Sequence, residues 1–227
     1  MSRAKIQFAE AARGGASFQP RAPRFFDHPL FAWAGLRGPI AQHTAAEHAA
    51  LERHARERKS LVEIGVAEGA SAVALRSAMD SRGTLHLVDP FHLSRVRALN
   101  FLRRAARRAV LDGTPKKIIW IECFSQDAIR SWHSPIDFLL IDGDHDERAI
   151  ERDWNDWHPH VMADGVVLLH DARLFAGGWT SPNYGPVRFV DRTFRNNPTS
   201  QWKIIEEVDS LVVLMRRENV PDDFDRH

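Results

Sequence analysis

Leu61-Val62-Glu63-Ile64-Gly65-Val66-Ala67-Glu68-Gly69 decides the fold, read together with Asp89. An apolar run ends in an acid, and two glycines follow at a spacing of four. A second apolar run, Thr84 to Val88, ends in Asp89. A strand, a loop, a helix and a second strand in this order present a nucleoside-type cofactor to the chain's backbone. Gly65 and Gly69 lack a Cβ, so the loop can turn sharply and a ligand can lie against it. Asp89, at the second strand's end, can accept hydrogen bonds from both hydroxyls of a ribose. The plainer alternative is a tight turn with a solvated acid. The order is E-x-G-x-x-x-G, not the G-x-G-x-x-G of dinucleotide sites.

That order resembles the first motif of class I S-adenosylmethionine-dependent methyltransferases. The resemblance implies that Glu63 meets the cationic amino group of the cofactor's methionine portion.

Working outward, strands and helices alternate. Thr44-Ala-Ala-Glu47 is a capping-box signature that opens a helix to about Arg58. Strands are expected at Ser60–Ile64, Thr84–Val88, Lys117–Cys123, Ile136–Ile141 and Gly165–Leu169. Ser71–Met79, Ser94–Leu111, Gln126–Trp132 and Glu147–His158 read as the helices between and beside them, with Asp112-Gly113 as a stop. Ile136–Ile141 is the unbroken apolar run of a central parallel strand. Ile150, Trp154 and Trp157 recur at the helical period and should face the sheet. Arg173–Tyr184 reads as a mobile loop, Val187–Phe194 as a helix, and Trp202–Val208 with Leu211–Met215 as a hairpin turning at Asp209-Ser210. The expectation is an α/β, Rossmann-like methyltransferase fold: a seven-stranded, mostly parallel sheet with an antiparallel C-terminal hairpin strand. Residues 1–40 read as an irregular arm, 41–217 as the methyltransferase domain and 218–227 as a polar tail.

Two further strand ends carry acids. Asp142-Gly143-Asp144-His145 follows the fourth strand and His170-Asp171 the fifth. Ligands of open α/β sheets bind beyond the carboxyl ends of the strands. Asp142, Asp144, His170 and Asp171 should therefore converge in one crevice. Carboxylates suit Mg²⁺, while an imidazole tolerates Mn²⁺, Fe²⁺ or Zn²⁺ better. With the first motif, these boxes resemble the metal-dependent O-methyltransferases of the macrocin O-methyltransferase type, overlapping methyltransferase family 24, over about residues 44–216. The resemblance implies a divalent metal, Mg²⁺ or Mn²⁺, held by Asp142, Asp171 and His170, with Asp142 also bordering the cofactor. It implies His145 as general base and a small hydroxylated acceptor such as a sugar or glycosylated natural product. His170 stands where the related sugar enzymes carry an acid, and Asp146-Glu147 where relatives often carry Ser-Tyr. Phe124, Ser125 and Gln126 follow the third strand, where methyltransferases contact adenine; a core Phe and a Ser N-cap are the alternative.

The chain has 227 residues, a formal net charge of +1 and 44% hydrophobic residues, which suits one domain. The single cysteine, Cys123, excludes an intrachain disulfide framework. No run approaches the ~20 apolar residues of a membrane span, and no secretory signal is visible, so a cytoplasmic location is expected. Arg103, Arg104, Arg107 and Arg108 read as a solvated helix face, so a nucleic-acid partner is not expected. The aromatic arm suggests a possible homo-oligomer. The alternatives are a non-catalytic cofactor-binding module of the same fold, a methyltransferase acting on a macromolecule, and a nicotinamide-dependent oxidoreductase. The missing third glycine and the terminal hairpin speak against the last.

Overall fold

The computed structural model describes residues 27–91, 100–112 and 115–219. In chain order the elements are α1 (Pro29–Trp33), α2 (Ala45–Ala55), β1 (Ser60–Ile64), α3 (Ala70–Ala78), β2 (Thr84–Val88), α4 (Phe101–Leu111), β3 (Lys117–Ile121) and α5 (Ser125–Ala128). They continue with β4 (Ile136–Ile141), α6 (Glu147–Trp157), β5 (Val161–Leu169), α7 (Gly185–Val190), a π turn (Asp191–Arg195), β6 (Trp202–Val208) and β7 (Leu211–Arg216). Among the described residues, seven strands form one sheet in the order β3-β2-β1-β4-β5-β7-β6. The first five run parallel; β7 is antiparallel to both β5 and β6. This is the expected α/β sheet, including its reversed last strand.

Strand alternation sorts the core into two layers. Leu61, Leu85, Leu87, Phe138 and Leu140 pack with residues of α2, α3 and α4. Val62, Ile64, Val88, Leu139 and Ile141 pack with Ala128 of α5, Trp154 and Trp157 of α6, and Phe189 and Val190 of α7. Trp154 meets Phe194 and Trp202 edge-on at 4.8 and 5.2 Å between ring centres. The chain order reverses direction at β1 and β4, so the crevice that such sheets offer to ligands opens beyond these two strands.

The ends of several elements differ from the sequence reading. β5 begins at Val161 because its ladder with β4 slips: Ile136 pairs with Val161, but Phe138 pairs with Val166. The extra residues bulge, and the polar Asp164-Gly165 inside them disguises the strand. α4 begins at Phe101 because Asn100 is extended and its Oδ1 caps the Arg103 amide at 3.0 Å. Residues 94–99 of the expected helix, and Gly113 of its stop, lie outside the described residues. β3 is two residues shorter than expected. α1 had no periodic signal; Pro29 at its start and the His28 ring, which accepts from the Leu30 amide, define it. No helix among the described residues is long and apolar enough to cross a membrane.

Candidate active site

The loop after β1 is shaped by three left-handed residues, Gly65 (φ +87°), Ala67 (φ +48°) and Gly69 (φ +85°). At Gly65 a Cβ would lie 2.0 Å from the Asp142 carbonyl oxygen, so glycine is required by the approach of the β4 end as well as by the turn. Asp89 holds the loop from beneath. Its Oδ2 accepts from the amides of Val66 (2.8 Å) and Ala67 (3.2 Å), and its Oδ1 from Phe91 (2.7 Å). The acid expected to bind a ribose thus already organises the glycine loop, with lone pairs left over. Glu63 is fully buried. Its Oε1 accepts a short bond from the Ser71 hydroxyl, and its Oε2 has no hydrogen-bond partner. Burial, reinforced by Asp142 and Asp89, pushes this carboxyl well above the ordinary carboxylate range.

At the neighbouring strand ends, Asp142, His170 and Asp171 each bring a donor atom within 4.8 Å of the others. His170 Nδ1 lies 2.9 Å from Asp142 Oδ1 and 3.4 Å from Asp171 Oδ1. Burial alone would lower the His170 pKa, but the two carboxylates raise it well above the usual imidazole value. Burial raises Asp171, which also sits in the left-handed region at φ +55°. Such a backbone is uncommon outside glycine and persists only where surrounding contacts hold it. Here the Trp179 indole N–H donates to Asp171 Oδ1 at 2.6 Å. His145 Nε2 stands 3.2 Å from Asp171 Oδ2, and its Nδ1 is 3.0 Å from the Tyr184 hydroxyl. Asp144 is exposed, and its Oδ1 caps the Asp146 amide. It is a turn residue and does not join the cluster.

The remaining sequence expectations divide. Ser125 is not a helix cap; its hydroxyl donates to Asp153 Oδ1 at 2.5 Å, and Phe124, half exposed, occupies the cap position of α5. Gln126 is partly buried beside them. Arg173–Tyr184, read as a mobile loop, carries bonds within itself from Thr180 to Arg173 and from Gly178 to Phe175, and one outward from Trp179 to Asp171. Of the four α4 arginines Arg108 is exposed, while the other three are half-buried against side-chain partners. Arg103 and Arg107 share Glu122 Oε1 at 2.8 and 2.7 Å, while Arg104 and Arg107 lie over Trp33 and Trp120.

Glu47 is the residue that sequence reasoning underread. It completes the expected capping box, accepting from the Thr44 amide at 2.6 Å. It also accepts from the Ser210 amide (2.7 Å) and hydroxyl (2.6 Å) in the β6–β7 turn. Its Oε2 lies 3.6 Å from His170 Nε2, a buried nitrogen without a hydrogen bond. Burial works against its charge, yet the His170 ring and the Ser210 and Thr44 donors hold its pKa down to about 2. Glu47→Ala removes a cap, leaves the buried Ser210 amide without its acceptor and takes from His170 the carboxylate that its Nε2 faces. It is expected to destabilise the fold by about 2–4 kcal/mol in urea unfolding.

Comparison with known proteins agrees with this fold. Residues 62–172 match the family model described as a methyltransferase domain, Methyltransf_24. The O-methyltransferase from Bacillus cereus, solved in complex with SAH, is 14% identical, with a TM-score of 0.56 over 87% of this chain and 94% of that one. TomG, an O-methyltransferase from Streptomyces achromogenes involved in tomaymycin synthesis and solved with SAM, is 15% identical, with a TM-score of 0.52 over 86% and 91%. The O-methyltransferase NovP is 16% identical, with a TM-score of 0.58 over 78% and 81%. At such identities the structural likeness is one of fold.

Proposed function

We propose that this chain, which belongs to the class I S-adenosylmethionine-dependent methyltransferases, methylates a hydroxyl of a small molecule, such as a sugar or a glycosylated natural product, with the help of a divalent metal. One observation carries this reading. Asp142, His170 and Asp171 converge beside the glycine loop, with His145 Nε2 3.2 Å from Asp171. The residues present fit both groups. Glu63 Oε2 is a buried acceptor without a donor, which the cofactor's ammonium would supply. In this reading Gly65, Gly69 and Asp89 would border the cofactor, with Phe124, Ser125 and Gln126 toward its adenine. The two carboxylates and the imidazole form a donor set for Mg²⁺ or Mn²⁺.

A cation held there by Asp142, His170 and Asp171 would lower the pKa of an acceptor hydroxyl. Asp171 orients the His145 ring through Nε2, and Tyr184 pairs with Nδ1, the ring atom that would take the acceptor's proton. His145 takes the proton there. Bound S-adenosylmethionine would supply an activated methyl group, and its transfer to the acceptor oxygen would leave S-adenosylhomocysteine and a methyl ether. Since the methyl group is already activated, positioning supplies most of the catalysis. A macromolecular acceptor is disfavoured because Arg103, Arg104 and Arg107 are engaged by Glu122, Trp33 and Trp120. A cofactor-binding module without turnover has one observation in its favour: His170 Nδ1 pairs with Asp142 Oδ1 at 2.9 Å, across two of the donor atoms a metal would need.

The test is calorimetry with S-adenosylmethionine, followed by transfer of labelled methyl to a panel of hydroxylated molecules after chelation and after Mg²⁺ or Mn²⁺ readdition. Binding around the micromolar range, near −8 kcal/mol, is expected, with transfer that disappears on chelation and returns with metal. Binding with no transfer to any acceptor under any metal would favour the module. No binding would sink both readings.

A further inference from the structure

Glu68 sits between Ala67 and Gly69 in the glycine loop, where sequence offers it nothing but solvent. It is 7% exposed. Arg37 clasps its carboxylate with both terminal nitrogens, Nη1 to Oε2 at 2.5 Å and Nη2 to Oε1 at 2.7 Å. The Ile40 amide adds a third bond to Oε2 at 2.9 Å. The same guanidinium donates to the carbonyls of Gly38 (2.8 Å) and Asp27 (2.6 Å), so one buried fork ties the segment to itself and to the loop. That segment is also anchored on α4. Trp33 packs on Phe101 at 5.5 Å with Arg104 over its other side, and the Arg108 guanidinium lies over Gly35.

The loop is thus gripped from two directions, by Asp89 on the amides of Val66 and Ala67 and by Arg37 on Glu68. A backbone with left-handed residues at 65, 67 and 69 needs such over-determination, because one of them is alanine. We infer that Arg37 is a positioning residue for cofactor binding: through Glu68 it holds the glycine loop in its binding shape. The inference rests on the reading of residues 65–69 as the cofactor cradle. It brings residues 27–40 into the working frame of the site, although the sequence placed them in an irregular arm.

The test compares wild type, Arg37→Met, Arg37→Lys and the double variant Arg37→Met/Glu68→Met. Calorimetry reads the affinity for S-adenosylmethionine and S-adenosylhomocysteine, and hydrogen exchange reads the loop and β4. Arg37→Met is expected to weaken both ligands about tenfold or more, the factor that follows from losing a pre-shaped loop. Without ligand, exchange should quicken in residues 65–69 and stay unchanged in β4. Arg37→Lys should fall between, because an ammonium cannot form the two-pronged contact. The double variant leaves no buried unpaired charge, so it carries the comparison if Arg37→Met fails to fold, and it should remain weak. Wild-type affinity in cooperatively melting Arg37→Met overturns the inference. So does restored affinity in the double variant, which would trace the defect to an orphaned carboxylate. Failure of wild type itself to bind either ligand overturns the cofactor reading and the inference together, a result distinct from loss in the variants alone.

Discussion

Asp142→Ala is expected to lower methyl transfer by about 10³-fold or more and to abolish its response to added Mg²⁺ or Mn²⁺. The side chain supplies one of the three clustered donors and contacts His170 Nδ1 at 2.9 Å. Without it, the proposed metal site keeps one carboxylate and one imidazole, too few to hold a hard cation against water. Stability should fall as well, because Asp142 is the carboxylate nearest the buried His170 ring, although the tight contact between β4 and the glycine loop is made by the Asp142 main chain. Asp142→Asn keeps the shape, removes the charge, and should behave alike in metal titration. Initial rates with labelled cofactor, paired with Mn²⁺ binding followed by electron paramagnetic resonance, check both halves. Full activity in either variant after chelation would remove the metal from the mechanism.

Gly65→Ala should do wider damage. The new methyl would lie 2.0 Å from the Asp142 oxygen, 2.6 Å from its carbonyl carbon and 2.9 Å from Gly143 Cα. All three are main-chain atoms, so no rotamer change relieves the clash. The φ of +87° adds strain of its own. The β1 and β4 ends, joined by the Asp142 amide to the Ile64 carbonyl at 2.8 Å, must separate. A loss of about 3 kcal/mol or more is expected, which corresponds to a fall in Tm of roughly 6–12 °C for a chain of this size. Cofactor affinity and metal affinity should drop together. Gly143→Ala is the control: its Cβ would meet Ile64 Cγ2 at 3.5 Å, an ordinary contact, and stability should change by less than about 1 kcal/mol. Thermal melts of the two variants side by side decide it. Equal stabilities would show that the β1 loop yields where the geometry says it is fixed.

These positions were legible because each lies where an apolar run gives way to a turn, and a parallel sheet delivers all such points to one edge. Gly65, Asp89, Asp142 and His170 needed only that local contrast. Glu47 was hidden by its own sufficiency: a capping box explains it fully, and nothing local announces Ser210 or His170. Arg37 and Glu68 are 31 positions apart and belong to no periodic pattern. The start of β5 was lost to a bulge, whose polar residues break the apolar run that identifies a buried strand. Arg103 and Arg107 read as solvated because their partner, Glu122, comes from the end of β3. What stayed unreadable is pairing at a distance, which composition and spacing do not encode.

The bond from Glu47 to Ser210 joins positions 163 apart. A chain emerging from the ribosome therefore exposes the glycine loop, both acidic boxes and five parallel strands before it can finish the wall behind His170. Closing so long a loop is slow. The parallel core can assemble while Glu47, which faces the inner nitrogen of His170, still lacks its Ser210 donors. The same order run backwards describes wear: peeling away the terminal hairpin would dismantle the proposed chemistry first and leave the central strands standing. Loss of activity on warming should then precede loss of sheet structure.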